Sequence, residues 1–509
     1  MRLKVPQGTA VLFATALAMA RPRGPEACWG VDGALASAAM RRLPAVLAVL
    51  TVLAAVLLGA TPASGAGFFL TDRGAAALAR GGANTVAADD LNAAYFNPAL
   101  IGRGDKGILT YLDLGLIHQS VSFKRTLDEA TSDLYPTCCS AVENEAPPFL
   151  DPSLMVGWAP EGEKYAVALS VYGPYAGLPE YPKDGDQRYS LVSIVSILLQ
   201  IQATVSYEIT DDFRIGVGFQ SRDFALKQRQ VISSFPGFLG GPEDRNWDSL
   251  VELDVADRFN PGAVIGVWGR VAPDWEVGAS WQTPMSVEAE GDLRVEVAGH
   301  YMFATTFLDG SKIKLTTELP QVARGGVRYV PDGKGWDAEV DVVWEGWSVH
   351  QNVVVTPTER IRLRSVAGVS DYDVQSFTVK DGFQDSFSVR LGGSVDGDHF
   401  GWDDVTLRMG AFWEGSAIPE ENLTVQAVDA DKVGVGLGVK LQLAEGFKLD
   451  LGYGHVFLAS RNVTNSVRRQ VNTLYAQDNP LRTEGRTIVG NGRYESSYHA
   501  LALTLGASF

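Results

Sequence analysis

Histidine, serine and glycine are the residues of this chain whose spacing could support catalysis or cofactor binding. The six histidines lack the spacing of a metal site and are His118, His300, His350, His399, His455 and His499. No Gly-x-Ser-x-Gly nucleophile elbow occurs. Gly434, Gly436 and Gly438 alternate with apolar residues, which is typical of a packed strand and not of a phosphate-binding loop. We therefore predict that the protein is not an enzyme and needs no metal or cofactor.

Three alternating carboxylates are a further candidate for chemistry. Asp337, Glu339 and Asp341 would share one face of a strand. Such a row can select cations in a water-filled pore, although it more often forms a buried network with arginines. The whole chain has 60 acidic and 43 basic residues, giving a net charge of -17 at pH 7. No basic cluster occurs, so we predict no nucleic-acid partner.

The elements that carry these side chains are strands. From Val195 to Tyr207 the odd positions are apolar and the even positions are mostly polar, which excludes a helical stripe. The same alternation returns at 336–344, 405–413 and 433–443. The 3 cysteines are too few for a disulfide scaffold. Cys138 and Cys139 could form a vicinal disulfide or a bridge to another chain.

The N-terminal region predicts export. Met40-Arg41-Arg42 is a short basic start, Leu43 to Leu58 is an apolar run, and small residues follow at 63–66. This order is typical of a secretory signal peptide, and a membrane-anchoring helix is the alternative. We assign residues 1–65 to the signal region and expect translation to begin at Met40.

Short turns alternate with long connections through the rest of the chain. The short turns include Thr210 to Asp212 and Ala272 to Asp274, and the long connections lie near 125–149, 174–187, 231–257, 297–318, 356–384, 416–431 and 460–494. Barrels of the bacterial outer membrane have this asymmetry, with the short turns on the periplasmic side. We therefore predict an all-β transmembrane antiparallel barrel of about 14 strands over residues 105–509.

The last predicted strand ends at Phe509. Its apolar face consists of Leu501, Leu503, Leu505, Ala507 and Phe509. A terminal aromatic residue on an amphipathic strand is similar to the signal that the barrel assembly machinery reads. We expect that machinery as a partner, together with outer-membrane lipid and lipopolysaccharide, and we expect a monomer.

Several short motifs after the signal region point to a known family. They are Ala66-Gly67-Phe68-Phe69-Leu70, Gly81-Gly82, Ala87-Ala88-Asp89-Asp90, Asn97-Pro98-Ala99-Leu100, Tyr172-Gly173-Pro174-Tyr175 and Asn260-Pro261-Gly262. This set resembles the FadL/TodX/OMPP1 family of outer-membrane transporters for long-chain fatty acids and aromatic hydrocarbons. The resemblance implies that residues 66–104 form an N-terminal hatch plugging the lumen, with a soluble helical cap as the alternative. The implied hatch and gate residues are Gly67, Phe68, Asn97, Pro98 and Ala99.

The resemblance also implies passive, ligand-gated uptake of a hydrophobic small molecule. Outer loops would capture the ligand, and it would leave sideways through a kinked wall strand. We place the kink at Gly173 and Pro174, where proline removes a backbone donor. Two apolar loop clusters fit the capture step, and they are Phe235, Phe238 and Leu239, and Tyr301, Met302, Phe303 and Phe307. The alternative is that these aromatics only pack on each other.

The chemical class of the ligand stays open at this point. Arg188 is our candidate partner for a ligand carboxylate, and a surface arginine at the loop rim is the alternative. No lysine or arginine occurs between Trp347 and Arg360, which keeps neutral hydrocarbons open. The alternative functions are a porin for small polar solutes, a structural or adhesive barrel, and an outer-membrane lipase with a serine–histidine pair.

Overall fold

Fourteen antiparallel strands form the wall of a closed barrel, which confirms the predicted class and strand number. The computed structural model describes residues 72–127, 138–235, 241, 243–366, 370–471 and 487–509. The wall strands are β1 (Gly107–Arg125), β2 (Phe149–Ala159), β3 (Tyr165–Gly177), β4 (Ser193–Thr210), β5 (Phe213–Ser233), β6 (Asp248–Ala272), β7 (Trp275–Gln282), β8 (Val322–Tyr329), β9 (Trp336–Glu345), β10 (Ser386–Asp396), β11 (Val405–Glu414), β12 (Lys432–Ala444), β13 (Phe447–Leu458) and β14 (Gly492–Ser508).

The first and last wall strands close the ring. β1 pairs with β14 from Leu109 opposite Ser508 to Arg125 opposite Gly492. At the end of the chain, Ile108 and Phe509 exchange two backbone hydrogen bonds of 3.0 Å each. A closed ring has no unpaired edge, and a wall surrounded by lipid requires this because lipid offers no hydrogen bonds. The assembly role of Phe509 stays a prediction.

Side chains along the wall alternate between an apolar outer face and a polar inner face. On β4 the outward residues Val195, Ile197 and Leu199 are between 41% and 44% exposed, whereas the inward residues Gln200 and Gln202 are fully buried. The outward face suits lipid, and the inward face can hydrogen-bond whatever fills the lumen. The period of two predicted from the sequence therefore describes the wall.

Four further strand segments extend the wall outward on one side of the ring. They are Met285–Glu296, Lys312–Leu319, Asn352–Pro357 and Phe377–Lys380, and they form a ladder that begins on the outer half of β6. Several predicted connections, among them 231–257, 297–318 and 356–384, are therefore wrong in part, because they contain strand residues. β6 continues outward past Asn260-Pro261-Gly262 with a register shift against β5, so this motif marks a bulge and not a strand end.

Helical structure within the described residues is short. Residues 72–104 contain α1 (Ala75–Ala79), α2 (Ala93–Phe96) and a 3-10 turn at Pro98–Leu100. Further 3-10 turns lie at Arg245–Trp247, Tyr301–Phe303, Trp347–Val349, Gly397–Phe400 and Glu420–Asn422. The remaining strands are Ala141–Glu143, which pairs with β1, Arg461–Val463, which pairs with β14, and a small sheet of Phe307–Asp309, Arg362–Val366 and Ser370–Asp373.

No helix within the described residues has the length and apolarity needed to cross a membrane. Cys138 and Cys139, in the first long connection, form a disulfide with each other. The predicted signal region and the hatch residues Gly67 and Phe68 lie outside the described residues, as do Phe238 and Leu239.

Candidate functional site

Residues 72–104, here called the lumen segment, pack inside the barrel against several wall strands. The Gln202 side chain donates to the carbonyl of Ala94 at 2.7 Å, and the Ser206 hydroxyl donates to the carbonyl of Ile101 at 2.7 Å. Three strands farther along the wall, on β7, the Ser280 hydroxyl donates to the carbonyl of Phe96 at 2.6 Å. Inward polar side chains thus satisfy a backbone that has little regular pairing of its own.

Three carboxylates of β9 bind the middle of the lumen segment. Arg80 pairs with Asp337 at 2.7 Å and with Glu339 at 3.0 Å. Asp341 accepts the backbone N–H groups of residues 84 and 85 at 3.0 Å each, and Glu339 accepts that of Val86 at 2.7 Å. The acidic row predicted from the sequence therefore belongs to a buried network with an arginine.

Asn97 joins the lumen segment to β6. Its side-chain amide donates to the carbonyl of Val267 at 2.9 Å and to the carbonyl of Thr85 at 3.1 Å. Its Oδ1 atom accepts the N–H of Ala99 at 3.2 Å, which begins the 3-10 turn over Pro98–Leu100. This fully buried side chain therefore fixes the turn and anchors it to the wall.

Two wall glycines allow this close approach. A Cβ atom at Gly216 would overlap the backbone of Pro98, and one at Gly266 would overlap the side chain of Asn97. Any larger residue at either position would push the turn away from the wall. The Asn-Pro-Ala motif and the two glycines therefore form one packed contact.

The end of the lumen segment near the short turns makes more exposed contacts. Lys440 lies 3.2 Å from Asp89, whose side chain is 50% exposed. Just beyond the segment, Lys448 lies 2.5 Å from Asp105. Partly exposed ion pairs are screened by salt and contribute less than buried ones. This end is therefore held more weakly than the middle.

The wall is interrupted between β2 and β3. These strands pair only from Leu154 opposite Val171 to Trp158 opposite Val167. Farther outward, residues 149–153 of β2 pair only with β1. Residues 172–177 of β3 pair only with β4, and their register shifts between Tyr172 and Tyr175. Pro152 and Pro174, one in each strand, lack the backbone N–H needed for a ladder. We call this interruption the wall gap.

Arg73 of the lumen segment spans the wall gap. It donates to the Ser153 hydroxyl at 2.7 Å and pairs with Asp151 at 2.8 Å, and both residues belong to β2. It also donates to the carbonyl of Gly173 on β3. Arg73 is 2% exposed. Its buried guanidinium group therefore links β2 to β3 where the two strands have no backbone pairing.

A cavity of about 120 Å³ reaches the wall gap from inside the barrel. Its apolar lining includes Ile117, Trp347, Phe383, Phe412, Ile418 and Val456. Arg73 and Asp151 line it as well, so one ion pair borders both the cavity and the gap. This arrangement can hold an apolar molecule next to an opening in the wall.

A profile of the family described as outer membrane protein transport protein (OMPP1/FadL/TodX) matches residues 56–509. The chain belongs to the OMPP1/FadL/TodX family. It is therefore an outer-membrane transport protein, as the resemblance implied, and its barrel spans the bacterial outer membrane. The family is one of transporters.

Family relatives with known functions or structures support this assignment. A long-chain fatty acid transport protein of Salmonella typhi is 22% identical over 433 residues, which cover 79% of this chain and 90% of that protein. The crystal structure of a Pseudomonas aeruginosa FadL homologue matches with a TM-score of 0.69 and 14% identity, covering 87% of this chain and 100% of the homologue. The Pseudomonas putida toluene transporter TodX matches with a TM-score of 0.62 and 14% identity, again covering 87% and 100%. At this identity the two structures show a shared fold.

The loop aromatics divide into buried and exposed residues. Phe303 is buried, and it packs with Phe235 around Trp247, with ring centroids 6.1 and 6.2 Å from that of Trp247. Met302 packs against the same cluster. Tyr301 and Phe307, in contrast, are 76% and 57% exposed. Trp247 was missed from the sequence, because nothing in its local pattern marks it as the centre of a loop cluster.

Arg188 lies apart from the cavity. Its Nε atom donates to Asp248 at 2.7 Å, and its Nη2 atom donates to the Tyr189 hydroxyl at 2.8 Å. The residue is 4% exposed, in the connection before β4. The surface position given as its alternative is therefore wrong, and its charge is already paired with a carboxylate.

The arginines of the lumen segment are the functional residues that sequence reasoning missed. Arg73 and Arg80 are two of the three arginines in a segment rich in alanine and glycine. Their partners, Asp151 and Asp337, lie 78 and 257 positions farther along the chain. Residue composition could have predicted these ion pairs, because an arginine buried in a lumen with an acidic wall requires a carboxylate partner.

We expect the Asn97→Ala substitution to loosen the turn without unfolding the barrel. It removes three buried hydrogen bonds, each of which contributes about 1 kcal/mol. Surface expression should persist, and leakage of a small polar dye into whole cells should rise. Gln230→Ala, which removes an amide that donates to a loop carbonyl, is the matched control. Wild-type impermeability in Asn97→Ala cells would show that the motif only packs.

Proposed function

We propose that this protein takes up hydrophobic compounds, either long-chain fatty acids or aromatic hydrocarbons, by passive diffusion gated by the ligand. The observation that carries the proposal is the cavity that shares Arg73 and Asp151 with the wall gap. A molecule in that cavity is separated from the surrounding lipid by one side-chain bridge, and not by a continuous ladder. Family membership supports the same function, because one relative is named as a long-chain fatty acid transport protein and another as a toluene transporter.

In the proposed route, exposed loop aromatics make the first contact with the ligand. Tyr301 and Phe307 offer apolar surface to solvent, whereas Phe235, Met302 and Phe303 stabilise the loops beneath them. Single apolar residues are common on protein surfaces, so the capture role depends on the two acting together.

The lumen segment acts as the hatch in this route. Its middle is fixed by the carboxylates of β9, whereas Arg73 is held by a small set of polar contacts at the wall gap. A ligand that occupies the cavity can displace Arg73 without disturbing the β9 network. The ligand would then pass between β2 and β3 into the bilayer, and neither chemistry nor an energy source is required.

The sideways exit predicts that filling the wall gap stops uptake. A Cβ atom at Gly173 would meet only the carbonyl of Leu198 at 3.2 Å and an Asp151 oxygen at 3.9 Å, so a side chain there extends toward the gap. We expect Gly173→Leu to reduce uptake of labelled oleate and toluene at least about tenfold, because the added side chain occupies the wall gap. Gly325→Leu is the control, since open space surrounds that wall glycine. Equal uptake by the two variants would place the exit elsewhere.

The capture step predicts a change at low ligand concentration. Burying one aromatic side chain contributes roughly 1.5–3 kcal/mol. The double substitution Tyr301→Ser and Phe307→Ser should therefore raise the half-saturating concentration by more than about tenfold and leave the maximal rate of uptake unchanged. Exposed Phe400, near a short turn, provides the control variant Phe400→Ser. Unchanged half-saturation in the double variant would remove these residues from the route.

The porin alternative predicts an opposite electrical result. A lumen filled by residues 72–104 should give small or no single-channel conductance in planar bilayers. Deleting the lumen segment should then produce a large steady conductance. A large conductance in the intact protein, unchanged by the deletion, would favour a porin.

A further inference from the structure

The cavity beside the wall gap is rich in carboxylates. Five acidic side chains line it, and these are Asp72, Asp151, Glu345, Glu414 and Asp429. The cations in the lining are Arg73 and Lys432. A fatty acid would add another negative charge to this cavity, where low polarity makes like-charge repulsion strong.

The cations around the cavity are already paired. Lys432 lies 2.7 Å from Glu414 and 2.8 Å from Asp429, and Arg73 is paired with Asp151. Arg390, next to the cavity, pairs with Glu414 at 2.9 Å and also with Asp72. A ligand carboxylate could bind a cation here only by displacing a protein carboxylate that is held in place.

Glu345 is the carboxylate of this group that has no cation partner. It is 4% exposed, and its Oε2 atom accepts the indole N–H of Trp347 at 2.7 Å. Its Oε1 atom makes no hydrogen bond and no ion pair within the part of the chain that the structure describes. Glu414 repels its charge, whereas Lys432 and Arg390 attract it, and both cations form their ion pairs with other carboxylates. A buried carboxylate without a direct ion pair is costly, and a ligand that donates N–H groups would remove that cost.

The apolar part of the cavity can accommodate an aromatic ring. Trp347 and Phe383 provide aromatic surfaces, with their ring centroids 5.6 Å apart. The volume of about 120 Å³ is close to that of an engineered apolar cavity of about 150 Å³ that holds benzene. The cavity therefore has room for a single ring.

We propose that the cavity binds ring-sized hydrophobic amines, with Glu345 accepting the amine N–H and the ring packed against Trp347 and Phe383. This inference rests on the proposed function and narrows it from hydrophobic compounds in general to uncharged or cationic ones. Glu345 is a specificity-determining residue in this view. It favours an amine over a plain hydrocarbon of the same size and disfavours a carboxylate.

Three ligands of matched size test the preference, and these are benzylamine, toluene and benzoate. Their affinities for the purified full chain in detergent can be measured by titration calorimetry. The wild-type protein should bind benzylamine at least about tenfold more tightly than benzoate, and more tightly than toluene, because a charge-assisted hydrogen bond is stronger than a neutral contact. In Glu345→Gln the affinity for benzylamine should fall about tenfold, while that for toluene changes by less than about twofold.

Two controls protect this experiment from a folding artefact. Glutamine keeps an oxygen that can accept the Trp347 N–H, so Glu345→Gln should retain the barrel, as its heat-dependent gel mobility would show. Glu290→Gln changes an exposed acid on the outward extension and should leave all three affinities unchanged.

The inference is overturned if benzoate binds the wild-type protein as tightly as benzylamine, or if Glu345→Gln leaves benzylamine binding intact. Uptake of labelled toluene, oleate and benzylamine by expressing cells, measured in parallel, distinguishes failure of the amine preference from failure of the proposed function. Uptake without an amine preference contradicts only the role of Glu345. The absence of uptake for every hydrophobic compound, benzylamine included, would contradict the proposed function itself.

Discussion

The carboxylates of β9 are the interaction on which the rest of the site depends. A lumen segment with little regular secondary structure brings unpaired backbone N–H groups into the barrel, and burial makes each of them costly unless it finds an acceptor. Glu339 and Asp341 accept three successive N–H groups, and Asp337 joins Glu339 in binding Arg80. Removing one member of such a pair leaves a buried charge, at a cost of about 3–5 kcal/mol.

The wall gap also reflects the need of every buried backbone group for a hydrogen-bond partner. Proline has no N–H to offer, so Pro152 and Pro174 weaken the ladder from both sides, and the strands separate there. The freed carbonyl of Gly173 would be unsatisfied in lipid, and Arg73 supplies its donor. The position of the opening is thus determined by the wall, whereas its closure is determined by the lumen segment. This division lets the closure change while the barrel keeps its shape.

The sequence was sufficient to predict the wall strands, because the alternation of apolar and polar residues, as in β4, shows directly which side chains face lipid. It was also sufficient for Asn97 and Gly173-Pro174, whose residue types have special backbone properties. Their roles in gating remain predictions. The outer part of β6 was missed because the predicted connection 231–257 ends where the pairing of β5 and β6 shifts register, although the strand continues through that bulge. The bridge at Arg73 and the unpaired carboxylate of Glu345 depend on contacts between distant segments, which no local pattern encodes.

The outward extension of the wall has a consequence for how this barrel can change over time. Its ladder, from the outer half of β6 to Phe377–Lys380, carries the loop with Tyr301 and Phe307 on continuous strands with an apolar inner face. A scaffold of this kind tolerates sequence change at its tips, because the strands beneath hold their register independently. Lineages could therefore adapt the same barrel to new compounds by exchanging loop tips and cavity side chains, while the membrane-spanning ring is inherited without redesign.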